Sequence, residues 1–213
     1  MTSHDRRDVL RIGGLAIGLG AVVAACSSGD DAAPEAVEPV ETDTEAAARG
    51  TSDLSLLNTA LSLEILVDDT YRVGFEFALA QSDAVVEAAT LLQQHHVEHR
   101  ATLTALIEAA EGEPFETANP VVKAALVDPS LVSVTVERDF VRLVHDLELA
   151  CAQLYVHMAT AVNDPSLRSA AMSIGAVASR RATVLDLLGD LGNQRVATYP
   201  TDNPLPSDAI VPR

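Results

Sequence analysis

The sequence predicts an all-α domain, a bundle of four long helices with one long crossover between the second and the third. Three observations carry this. Hydrophobic residues make up 48% of the 213-residue chain, yet aromatics are only 3% and Trp is absent. The core must therefore be assembled from Ala, Val and Leu, which suits close helix packing. Apolar residues recur at 3.6-residue spacing over four segments between about residues 52 and 191. The links joining segments one to two and three to four are short, and the link between two and three is long.

The elements follow in chain order. "HDRRDVLRIGG" pairs Arg6 with Arg7, and the apolar stretch "IGGLAIGLGAVVAAC" follows. That stretch is too short and too rich in Gly and Ala for a good membrane span. It ends in small residues before Cys26, the pattern of a bacterial lipoprotein signal. Residues 1–25 are expected to be a signal peptide. Cys26 is expected to carry the lipid that anchors an exported protein to the outer face of the cytoplasmic membrane. Arg6 and Arg7, followed by Val9 and Leu10, also resemble a twin-arginine signal, although Asp5 stands where Ser or Thr is usual. A Sec-type leader is the alternative. Residues 26–51 are polar, acidic and interrupted by Pro, and they read as the lipidated Cys and a flexible tether.

Residues 52–191 are expected to form the bundle. The first helix is predicted at about 53–81 behind a Thr51/Ser52 cap, and the second at 83–111, stopping at Gly112. The connection 113–132 is expected to hold a short helix in "NPVVKAALVD". The third helix is predicted at 133–162, ending at "NDP", and the fourth from Pro165 to about Gly189. Residues 192–213 contain four prolines and read as a tail laid over the surface.

A formal net charge of −17 argues against nucleic acid, whose phosphates would be repelled. The acidic tether beside an anionic membrane is expected to hold the domain off the surface by repulsion, with the membrane contact made through lipidated Cys26. No Gly-rich phosphate loop or nucleophile-elbow pattern follows the leader, and no catalytic residue is assigned. With Cys26 lipidated, Cys151 is the one remaining thiol and no internal disulfide is possible. No protein partner can be named from the sequence.

Polar residues inside apolar stripes carry the chemistry. Leu57, Ala60, Val67, Tyr71, Phe75 and Ala78 share a face of the first helix, with Glu64 in its middle. Val141, Val144, Ala152, Tyr155, Ala159 and Val162 share a face of the third, with Glu148 in its middle. A carboxylate there is costly unless paired, protonated or bound to metal. On the second helix, "LLQQHHVEHR" places His96 and His99 on the face of Val85, Leu92, Leu103, Leu106 and Ala110, with His95 at its edge. Glu98 lies about 100° from His99 and is expected to face solvent. His145 and Cys151 flank Glu148 at −3 and +3, while Asp68 and His157 read as structural or surface residues. "LEILVDDTY" and "LELACAQLY" both read Leu-Glu, six residues, Tyr. The domain thus looks like a duplicated helical hairpin, with Arg181 where the second half would repeat His99.

With these residues in place, the chain resembles the ferritin-like superfamily, in particular exported bacterial ferritin-like domain proteins, over about residues 52–191. The family's metal form carries a Glu on helices one and three and Glu-x-x-His on helices two and four. The resemblance assigns Glu64 and Glu148 to the single glutamates, His99 to the first His, and Tyr71 and Tyr155 to tyrosines beside them. The chain departs at His96, which replaces the Glu of the first motif, and at "AVASRR", which puts Ala178 and Arg181 in place of the second Glu and His. A standard di-iron oxidase or iron store is therefore not expected. Two readings stay open. In one, Glu64, His96, His99 and Glu148 hold a single Zn, Fe or Mn ion, with weak oxidoreductase activity possible in principle. In the other no ion is bound: Arg181 substitutes for the metal charge in a structural Glu/Arg/His network, and the domain is a non-catalytic interaction scaffold of the envelope. In both, Tyr71 and Tyr155 are expected to donate hydroxyl hydrogen bonds to the glutamates.

Overall fold

Six helices follow one another in the computed structural model, which describes residues 43–192 and 207–211, with side chains from Asp53 onward. The expected signal peptide, Cys26 and the tether as far as residue 42 lie outside the described residues, as does tail segment 193–206. The four long helices are α1 (Asp43–Glu76), α2 (Asp83–Ala109), α5 (Glu137–Ala161) and α6 (Pro165–Gly189). Between α2 and α5 the crossover carries α3 (Pro120–Val122), a π-helical turn (Lys123–Val127) and α4 (Asp128–Ser133). The described residues contain no strand.

Local chemistry explains where each helix begins and ends. Ser82 caps α2 by accepting from the Val85 amide at 3.4 Å, and Asn119 caps α3 by accepting from Val122 at 3.1 Å. Asp164 accepts from the amides of Ser166 and Leu167 at 2.8 and 2.9 Å, and Pro165 follows as the first helical residue of α6.

Three helix boundaries differ from expectation. α1 starts at Asp43, inside the stretch read as tether, and ends at Glu76 instead of 81. It ends early because Ala78 takes a left-handed φ of 49° while the Leu79 amide bonds back to the Gly74 carbonyl at 2.8 Å, a helix-closing turn. Ala78 is consequently exposed and is no part of the inward face. The third long helix starts at Glu137 instead of 133. Asp139 accepts from the amides of Thr135 and Val136 at 3.0 and 3.2 Å, which satisfies donors that a new helix start would leave orphaned.

The four long helices close a ring: α1 packs on α2 and α5, and α6 packs on α5 and, along a lighter seam, on α2. The crossover and the turn Ser207–Ala209 cover the outside of α1. Asn119 Nδ2 donates to the Ser62 hydroxyl and to the Ala209 carbonyl at 3.0 and 2.9 Å, and the Val211 amide donates to Thr59 Oγ1 at 3.0 Å. This cover explains why α1 is buried almost all round from Leu56 to Asp68. Two glycines let helices approach closely. A β-carbon at Gly175 would sit 2.6 Å from Tyr155 Cβ, and one at Gly74 would sit 2.2 Å from Phe140 Cζ. The first contact seats Tyr155 against α6, with its hydroxyl in the centre of the bundle.

Candidate functional site

Each long helix contributes to one polar cluster in the apolar core. Glu64 comes from α1, His96 and His99 from α2, Glu148 and Tyr155 from α5, and Arg181 from α6. Glu64, His96 and Glu148 are 0% exposed and Arg181 is 2% exposed. His96 is the hub. Its Nδ1 lies 2.5 Å from Glu64 Oε2 and its Nε2 lies 2.9 Å from Glu148 Oε1. Arg181 Nε donates to the second oxygen of Glu148 at 2.8 Å. Tyr155 donates its hydroxyl to Glu64 Oε1 at 2.7 Å, as its position predicts. His99 sits at the margin, its Nδ1 3.4 Å from both Glu64 Oε1 and Arg181 Nη1.

The electrostatics follow from this wiring. Burial works against a charged His96, but the flanking carboxylates of Glu148 and Glu64 outweigh it and push the imidazole up to about 9. Burial likewise works against an ionised Glu64, yet His96, His99 and Arg181 hold its carboxyl well below the usual range. Burial disfavours the charge on Arg181 too, and the two glutamates more than restore it. At neutral pH an ionised Glu64 therefore faces a protonated His96 and Arg181. Burial raises the Tyr71 and Tyr155 phenols and the Cys151 thiol, so all three stay protonated.

The four residues read as candidate ligands are brought together, but in this arrangement they do not make a coordination shell. An imidazolium with both nitrogens donating to carboxylates offers no lone pair, and a dication would enter a cluster that already holds the positive charges of His96 and Arg181. Among the described residues, no three His, Cys, Asp or Glu side chains converge in a geometry that could hold a metal ion.

Other expectations sort as follows. Tyr71 lies beside His96, with ring centroids 5.9 Å apart, but its buried hydroxyl reaches no glutamate and has no partner. Its ring is instead locked edge-on against Phe140 at 6.3 Å. Cys151 is buried near the cluster as a free thiol. His145 is buried with Nδ1 3.2 Å from Asp146, and its Nε2 has no partner. Glu98 is exposed and accepts from Gln94 at 3.0 Å, in line with its predicted outward direction.

Asp68, read from the sequence as a structural or surface residue without a named partner, is a buried structural one. It is 3% exposed, pairs with Arg100, and accepts from Gln93 at 2.9 Å. The available signal was spacing, since Asp68 lies one helical turn beyond Glu64 and Arg100 one turn beyond His96.

The model of the ferritin-like domain family matches residues 52–189, a stretch that includes every residue of the cluster. The chain belongs to the ferritin-like domain family. No curated protein and no solved structure matches it. No helix among the described residues is long and apolar enough to cross a membrane.

Proposed function

We propose that this protein is an exported ferritin-like module, held at the outer face of the cytoplasmic membrane by lipid on Cys26, in which an internal ion-pair network has taken the place of the family's metal centre. Its role in the envelope is non-catalytic, that of an interaction scaffold. The observation that carries this reading is His96, which spans both glutamates with both ring nitrogens while Arg181 neutralises the far oxygen of Glu148.

A mononuclear Zn, Fe or Mn centre at Glu64, His96, His99 and Glu148 would need His96 to lose a proton and turn away from at least one carboxylate. It would also place the ion beside a guanidinium that cannot deprotonate. Both demands favour the metal-free reading over the single-ion one. Positive charge fixed in the chain supplies what a metal would otherwise supply, namely neutralisation of two buried carboxylates, but it offers no open position and no redox electron.

The test has two arms. Full chain given Fe²⁺ anaerobically and then exposed to dioxygen is expected to oxidise iron no faster than buffer. Oxidation that depends on the protein and is lost in Glu148→Gln would overturn the non-catalytic reading. In the producing cell, labelled palmitate is expected on the wild type and not on Cys26→Ser. Absence of label from the wild type would overturn the anchoring reading.

A further inference from the structure

We propose that the open groove between α1 and α2 is a docking site for a short extended segment of a partner protein, apolar along its length and carrying Lys or Arg at one end. The proposal rests on the scaffold reading and gives that scaffold a surface. It lies on the outside of the bundle and uses no residue of the interior network. The groove has a volume of about 620 Å³, within the range of about 300–1,000 Å³ usual for sites that hold a ligand.

Helical spacing and the crossover together build the groove. Leu61 and Ile65, four apart on α1 and both buried, supply its floor. From α2, Val97, Ala101 and Ala105 stand at successive turns of one face, and all three are exposed, Val97 by 49%. The outer face of a helix that packs on its other side is ordinarily polar, so an apolar row here marks a surface without its partner. Glu116, in the link between α2 and α3, brings the crossover to the rim. Asn58 of α1 fixes that link, donating from Nδ2 to the Glu113 carbonyl at 3.1 Å and accepting at Oδ1 from the Phe115 amide at 2.8 Å.

Charge selects the occupant. Arg100 is the one cationic group among the lining residues, and it is paired with Asp68. Glu108 and Glu116 also line the groove and are exposed, and among the described residues neither carboxylate makes a hydrogen bond or ion pair. Glu111 and Glu113 line a second recess of about 340 Å³, with Leu54 and Asn58, just past the end of α2. No Lys, Arg or His occurs from residue 101 to residue 122. The C-terminal end of α2, beside Glu108, adds the negative pole of the helix dipole. The groove is thus apolar along its length and negative at one end. It would repel a phosphate or an anionic headgroup, and it complements a basic, apolar peptide in both respects. From Val97 to Glu108 the helix advances about 16 Å, the length of about five residues of extended chain.

The synthetic peptide acetyl-Leu-Val-Leu-Lys-Lys-amide, titrated into ¹⁵N-labelled full chain, tests this. The amides of Ala101, Thr104, Ala105, Glu108 and Glu116 are expected to shift together and saturate with one peptide bound. Glu108→Lys combined with Glu116→Lys should weaken binding at least about tenfold, since two exposed ion pairs are lost and repulsion replaces them. Ala101→Phe, which fills the groove, should weaken it by a similar factor. These positions are exposed, so both variants should fold as the wild type does. No saturable shift of these amides, or unchanged affinity in either variant, overturns the docking site. Spermidine binding to the same amides as tightly as the peptide also overturns it, because the groove would then take a small amine in place of a protein segment. Each of these failures leaves the iron-oxidation test of the non-catalytic scaffold unaffected, so the two readings fail separately.

Discussion

The chemistry of this domain turns on His96 as the single imidazole between two buried carboxylates. Its pKa of about 9 lies above the ordinary 6.5, a difference that contributes about 3 kcal/mol of stability. The sign is set by the raised value. The contribution is fully present below about pH 6.5 and is lost as pH rises through about 9. Glu64 is shifted the other way, so its contribution is present above the ordinary carboxylate range and is lost in acid. Urea midpoints measured from pH 3 to pH 10 should therefore trace a dome that is highest between about pH 5 and pH 7. A midpoint that stays flat from pH 7 to pH 10 would contradict the charged state of His96. Arg181→Met strips Glu148 of one buried partner and is expected to cost about 3–5 kcal/mol in urea unfolding. The double variant with Glu148→Gln should lose less than the two single losses added together, because the two groups act on each other.

Glu64 and Glu148 could be recognised in the sequence because a carboxylate in an apolar stripe has few explanations. Arg181 could be recognised because it stands where a duplicated half would repeat His99. The bridge through His96 could not. Helical spacing gives the direction of a side chain but not which acceptor each ring nitrogen finds. Tyr71 shows the same limit, since it shares a face with Glu64 yet its hydroxyl reaches neither glutamate. Asp68 was read as structural or surface without a partner, because spacing leads to Arg100 only once the pairing of Glu64 with His96 across the two helices is known.

At the scale of the element, two contacts decide how α6 meets the rest. Gly175 lies against Tyr155 Cβ, so Gly175→Ala should force α5 and α6 apart and cost about 1–3 kcal/mol, despite the better helix propensity of Ala. A stabilised variant would show that the helices do not approach as closely as described. Asp53 ties α1 to the turn between α5 and α6, accepting from the amides of Asn163 and Asp164 at 2.9 and 3.0 Å. Removal of a buried acceptor leaves donors unsatisfied, so Asp53→Ala should cost about 1–3 kcal/mol, and amide exchange at Asn163 and Asp164 should speed up. The start of α6 could be read from Asp164 and Pro165 because its cap is contiguous in sequence. The end of α1 and the start of α5 could not. One depends on a left-handed Ala78, a conformation no sequence rule assigns to Ala. The other depends on Asp139 reaching back across a break at Val134–Val136, inside a run that reads as continuous helix.

At the scale of the whole molecule, the bundle could be predicted because link lengths and apolar period restrict four long helices to few arrangements. What the fold then does is pair charge at its centre, where His96 and Arg181 face Glu64 and Glu148. The proposed scaffold is a ferritin-like bundle in which the demand of two buried glutamates for positive charge is met by His96 and Arg181. The ¹⁵N spectrum of the His96 ring, followed from pH 6 to pH 10 in the full chain, tests this claim most directly. Both ring nitrogens should be protonated at pH 7 and titrate together with a midpoint near pH 9. A neutral or metal-coordinated His96 at pH 7 would contradict the account.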